Sequence, residues 1–302
     1  MLTVMLISVA LVVFLAGNLV RVVKFLRMPR PLRWELYPIP KGPQERQRYG
    51  GSYFEDSDWW TKPRASSHKS EAVFVLKEVF LLRGVWENFR GLWLWSWLLH
   101  WGLYLYLLIT LFAIGEALLP ADAGALVLHA AVIYGYRLAC PLGLAGALGM
   151  LAMRSWHPRV RAFTTRTGIF DLLLLGSIFA TGNLLLTTGP DGLHSMIRGL
   201  ARFPTRLGNH SVTWHLHVCL VAFFLAYFPF THMTHAYMKY FMWHQVRWDD
   251  SASVHDPYAA KELAVNLQRK TSWAAAHIAA GGTAAWSEIV ADADGNGAGK
   301  RA

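Results

Sequence analysis

Five stretches of this 302-residue chain are apolar over the length needed to cross a bilayer, and that leaves few folds open. They lie at about Leu2–Leu26, Leu92–Leu119, Gly124–Met153, Ile169–Thr188 and Val212–Phe241. A hydrocarbon layer of about 30 Å takes roughly 20 helical residues. With no water inside it, every backbone N–H and C=O must be paired, which selects helices or closed barrels. Runs of this length predict an all-α, polytopic membrane protein, a bundle of five transmembrane helices. Pro141 is expected to interrupt the third helix and Pro229 to kink the fifth. Composition agrees, with 54% hydrophobic residues and 14 Trp. The first run has no basic segment before it and no convincing small-residue cleavage site after it. It therefore reads as a retained helix rather than a signal peptide. Arg21 and Lys24 are expected to snorkel at its end.

Lysine and arginine are shared unevenly between the connecting segments. Segment 24–90 holds 13, segment 154–168 holds four and the tail from 239 holds seven. The link 118–123 holds none and segment 189–210 holds three. The positive-inside rule then puts the N-terminus outside and the C-terminal tail in the cytoplasm of a multi-pass membrane protein. The net charge of +10 reflects these loops among membrane lipid and does not call for nucleic acid. The chain divides into a first helix (1–26), a cytoplasmic loop (27–90), a four-helix membrane core (91–241) and a cytoplasmic tail (242–302). The loop is rich in Pro, Gly and aromatics, and a helix is expected from about Ser70 to Asn88. The tail carries an amphipathic stretch near Pro257–Arg269, then Trp273 and Trp286 among Ala and Gly. Those indoles suggest docking on a partner; a disordered tail with incidental Trp is the other reading.

Cys140 and Cys219 both fall in apolar runs, and there is no CxxCH for c-type haem and no CxxC pair. A redox centre would need other ligands, and the apolar spans carry histidine. His215, His217, His232 and His235 sit in the fifth span, His100 in the second and His129 in the third. Imidazoles inside a membrane are costly, so they mark function by default. His217 and His235 are 18 residues apart. In one unbroken helix that is five turns, which puts both rings on one stripe roughly 27 Å apart. Depth suggests pairs. His100 lies about eight residues from the cytoplasmic end of its span and His235 about six. His129 and His217 each lie about five residues in from the outer face. The pairs His100/His235 and His129/His217 would hold two b haems, one near each face, since neutral imidazole suits low-spin haem iron. The alternative register uses His215 and His232, which are 17 residues apart and also share a face.

Other residues carry weaker signals. Arg137 sits within the third span and needs an anion; a haem propionate or a quinone-linked carboxylate would serve, as would snorkelling. His194 and His210, in the outer loop, could take a proton from a quinol or be solvated loop residues. Asn183 could donate to a quinone carbonyl or to a neighbouring helix. Trp93, Trp95, Trp97, Trp101, Tyr104 and Tyr106 read as core and interface-belt residues.

The run HVCLVAFFLAYFPFTHMTH, His217 to His235, resembles the fifth helix of the gamma subunit of respiratory nitrate reductase. That family has two haem-ligating histidines at this spacing, with a Phe-Pro-Phe between them, here Phe228, Pro229 and Phe230. In that family the second helix supplies the partner histidines ten residues apart. His100 fits the first, whereas Thr110 stands where the second would be, so His129 is the candidate replacement. WELYPIP and YGGSYFEDSDWWTKPR look like the loop of the Dsr, Hme and Tmc types of membrane cytochrome b. Those pair with a heterodisulfide-reductase-like iron–sulfur protein in anaerobic sulfur metabolism. The resemblance implies two haem b, menaquinone as substrate, a cytoplasmic iron–sulfur subunit and a place in a bacterial or archaeal cytoplasmic membrane. A periplasmic multihaem cytochrome c is a further partner it allows. The expected function is a dihaem cytochrome b subunit, an oxidoreductase passing electrons between membrane quinone and that iron–sulfur subunit. A second reading keeps one haem, at His100/His235, and gives His129 and His217 to a quinone site. A third is a transporter with a histidine relay, for which the spans lack inverted repeats.

Overall fold

The computed structural model describes residues 2–27, 68–118, 123–188, 211–243, 257–270 and 284–293. These residues are almost entirely helical, and five of the helices are long and apolar enough to cross a membrane. The chain forms two compact units, one of residues 1–23 and 72–238, the other of residues 24–71 and 239–302.

The first unit begins with α1 (Leu2–Leu26). A short corner follows in the described chain: α2 (His68–Leu81), α3 (Arg83–Asn88) and α4 (Arg90–Leu118). The single helix expected over Ser70–Asn88 is thus divided. Leu82 takes a left-handed backbone (φ 49°, ψ 49°) and ends α2 there. The last carbonyls of a helix have no partner of their own. In α2 they accept from side chains of α4: Trp93 Nε1 donates to Leu81 O at 2.7 Å, and Trp97 and Trp101 Nε1 both donate to Phe80 O at 3.1 Å. Tyr104 donates its hydroxyl proton to Val79 O at 3.2 Å. The supposed belt residues are therefore caps as well.

α5 (Ala123–Trp156) runs without interruption through Pro141, which overturns the expected break. α6 (Pro158–Ala162) is a short link. α7 (Arg166–Thr188) starts where Thr165 Oγ1 accepts from Gly168 N at 3.1 Å. α8 (Val212–Tyr227) starts on the Ser211 hydroxyl, which accepts from Trp214 N at 3.2 Å.

Glycine sets how these helices meet. A Cβ on Gly102 of α4 would strike the backbone of Gly143 on α5, one on Gly146 the backbone of Leu99, and one on Gly149 the Trp95 ring. Close approach through small residues is how membrane helices gain packing energy when lipid is as apolar as their side chains. The contacts Trp95 with Gly149, Leu99 with Gly146, Gly102 with Gly143 and Ile109 with Gly135 fix an antiparallel register. Gly143 against Phe179 and Gly182 against Cys140 do the same between α5 and α7. Tyr136, Phe179, Trp214 and Val132 lie in the core so formed, while Val9 and Leu19 of α1 are 63% and 64% exposed, an apolar outer surface that suits lipid.

The second unit includes α10 (Pro257–Leu267) and α11 (Trp286–Ala293), joined by a single antiparallel bridge between Lys270 and Ala285. The amphipathic stretch expected near Pro257–Arg269 is the first of these. Trp273, His194, His210 and the motifs WELYPIP and YGGSYFEDSDWWTKPR lie outside the described residues.

Candidate functional site

The fifth span is broken. α8 ends at Tyr227, two single turns of 3-10 helix cover Phe228–Phe230 and His232–Thr234, and α9 (His235–Trp243) follows. Between the two turns Thr231 is extended (φ −111°, ψ 172°). The proline supplies the cause, since it has no N–H to donate and its ring clashes with the preceding turn. His217 and His235 therefore do not lie on one stripe of an unbroken helix, and each ring has its own set of contacts.

His100 and His235 meet. Their ring centroids are 6.2 Å apart with planes at 65°. His100 Nδ1 is 2.6 Å from Ser96 O, one turn back on its own helix. His235 Nδ1 is 3.0 Å from His232 O. A carbonyl can only accept, so each Nδ1 carries the proton and each lone pair is on Nε2. Metal-binding histidines use this arrangement, with one ring nitrogen donating to a carbonyl and the other holding the metal.

His217 is fully buried and has different neighbours. Thr181 Oγ1 on α7 donates to Ser177 O at 2.8 Å, so it accepts from His217 Nδ1, also at 2.8 Å. Nε2 then accepts from the Tyr106 hydroxyl of α4 at 3.0 Å. The carrier of that contact is a residue the sequence reading left in the core. Its signal was a phenol inside an apolar span, one turn before Thr110. Thr110 donates to Tyr106 O at 2.7 Å and accepts from the Tyr136 hydroxyl at 2.8 Å. Gly182 keeps the space beside His217 open, since a Cβ there would be 3.0 Å from Cys140 Sγ and 3.5 Å from His217 Cε1.

His129 is not brought to His217. Its Nδ1 lies 3.4 Å from Oε1 of the buried Glu116 near the end of α4. The second register is likewise not brought together. His215 is exposed against the Trp214 ring at 4.9 Å, and His232 Nδ1 is 3.3 Å from Oδ2 of Asp171. Asp171 is buried on α7. Arg137 lies over the Tyr134 ring at 5.8 Å. Asn183 donates to Phe179 O of its own helix at 3.1 Å.

Arg21 does not simply end α1 in solvent. Its Nη1 donates to Pro229 O at 2.7 Å and to Thr231 O at 3.1 Å, the carbonyls flanking the break. Phe14 packs on Phe228 at 5.5 Å, Gly17 allows Pro229 to within 2.7 Å of a Cβ position, and Asn18 Oδ1 accepts from the Tyr237 hydroxyl at 2.5 Å. One face of α1 thus lies along the broken segment.

Among the described residues no group of three or more His, Cys, Asp or Glu side chains gathers as a metal site. Comparison with family models, curated proteins and solved structures finds no match for this chain.

Proposed function

We propose that this chain is the membrane cytochrome b subunit of a redox complex. It would carry a b haem between His100 and His235 and exchange electrons with a membrane quinone, menaquinone in the family it resembles. One observation carries the reading: the two rings lie 6.2 Å apart, each with its Nδ1 proton on a carbonyl. Two imidazoles on opposite sides of one metal ion, at bonds of about 2 Å, leave centroids on the order of 6 Å apart. A haem held by these two imidazoles would supply single-electron transfer. Ser96 O and His232 O fix the tautomers and orient the rings.

Charge asymmetry puts this pair near the cytoplasmic face, where a soluble iron–sulfur subunit could dock on the basic loop and tail. The His217 cluster lies towards the other face. Its imidazole, phenol and hydroxyls are hydrogen-bonding groups suited to a quinone oxygen once the Tyr106 hydroxyl turns from His217 to the ligand, so one haem with a quinone site at His217 is the reading favoured here. A second haem on His217 would require displacing Tyr106 from Nε2 and bringing up a further ligand.

A haemochrome spectrum with stoichiometry on the purified complex tests both. One haem per chain supports the single-haem reading, and two support the dihaem one. A chain with no haem absorbance is not a cytochrome. Co-purification with an iron–sulfur protein tests the partner.

A further inference from the structure

We infer that Arg21 of α1 is a positioning residue for His235, acting through the backbone of the broken fifth span. The inference rests on the haem reading above. It begins from the break. Pro229 contributes no N–H, and the turns Phe228–Phe230 and His232–Thr234 are separated by the extended Thr231. The regular ladder of hydrogen bonds is therefore lost where the chain lies between apolar helices. Each carbonyl left unpaired in such surroundings costs several kcal/mol. One nitrogen of Arg21 donates to two of them, Pro229 O and Thr231 O. A guanidinium is always charged and rigidly planar, so it holds both acceptors in one fixed geometry.

Thr231 is the N-cap of the turn that leads into His235. Its carbonyl also accepts from the Thr234 hydroxyl at 2.9 Å, and its own hydroxyl accepts from Met233 N at 3.2 Å. The next carbonyl, His232 O, is the acceptor for His235 Nδ1. The guanidinium therefore fixes the peptide immediately before the one that orients the ring. From the other side Asp171 lies against the His232 ring at 3.3 Å. Gly17, Asn18 and Phe14 bring α1 close enough for Arg21 to reach. The first helix is in this sense part of the haem site rather than only an anchor.

The test compares Arg21→Gln and Arg21→Lys with the natural chain, in the complex as purified. The readouts are haem per folded monomer, the affinity for added haemin, and the low-spin electron paramagnetic resonance signal, which follows ligand-ring orientation. Loss of a partner that orients a metal ligand lowers affinity about 10–100-fold. Arg21→Gln is expected to lose affinity in that range with shifted g-values. Arg21→Lys keeps the charge but has a shorter, single ammonium, and should fall between. If Arg21→Gln accumulates poorly, the lysine variant carries the test. Unchanged g-values and affinity in the folded fraction overturn the inference, because α1 then only stabilises the bundle. His100→Ala separates the premise: a full haem complement in that variant removes the haem reading itself. Loss of haem there with unchanged Arg21 variants removes only the role of Arg21.

Discussion

The same side chain is used in two ways within one bundle. At one level a half-buried His100 and an exposed His235 give their Nδ1 protons to backbone carbonyls. At the other, His217 is wholly enclosed, with hydroxyls from Thr181 and Tyr106 on its two nitrogens. All three rings carry the proton on Nδ1, so tautomer does not separate them. What separates them is the neighbouring ring: a second imidazole for His100 and His235, and a phenol for His217.

The sharpest way to break this contrast is His235→Ala. It is expected to abolish haem binding, as is His100→Ala, while His217→Ala leaves one haem per chain by haemochrome assay. Next in size is Gly146→Leu. Gly146 abuts the backbone of Leu99, next to His100, so the added side chain must push α4 from α5. A loss of about 1–3 kcal/mol or more in detergent unfolding is expected, with lowered haem occupancy. His217→Ala strands the Thr181 and Tyr106 hydroxyls and is expected to cost about 1–3 kcal/mol in the same assay. The smallest effect is Tyr106→Phe, at about 1 kcal/mol, with haem content unchanged. A haem lost on that last substitution would place Tyr106 near a second iron and favour the dihaem reading.

Much of the architecture was legible because length and apolarity speak directly to a bilayer. The first four spans begin and end within a few residues of where hydropathy puts them, whereas the fifth stops at Phe230 instead of reaching Phe241. The two prolines were not legible. Pro141 and Pro229 looked alike in sequence, yet α5 stays whole and the fifth span breaks. Part of the difference is Arg21, 208 residues from Pro229 in sequence, which satisfies carbonyls that the break releases. Local sequence carries no trace of such a donor. The pair His100/His235 was reachable from depth alone. The pair His129/His217 was not, because depth says nothing about rotation around a helix, and rotation gave His217 to Tyr106 and His129 to Glu116. Asn183 likewise turned back to its own helix.

The corner at Leu82 has a consequence of its own. A helix end normally draws in water, because its last carbonyls need donors. At the end of α2 three indoles and a phenol do that work. The terminus therefore takes its donors from the aromatic side chains of α4. Indoles favour the headgroup zone of a bilayer, so the ladder that caps this corner is built from the side chains suited to that zone.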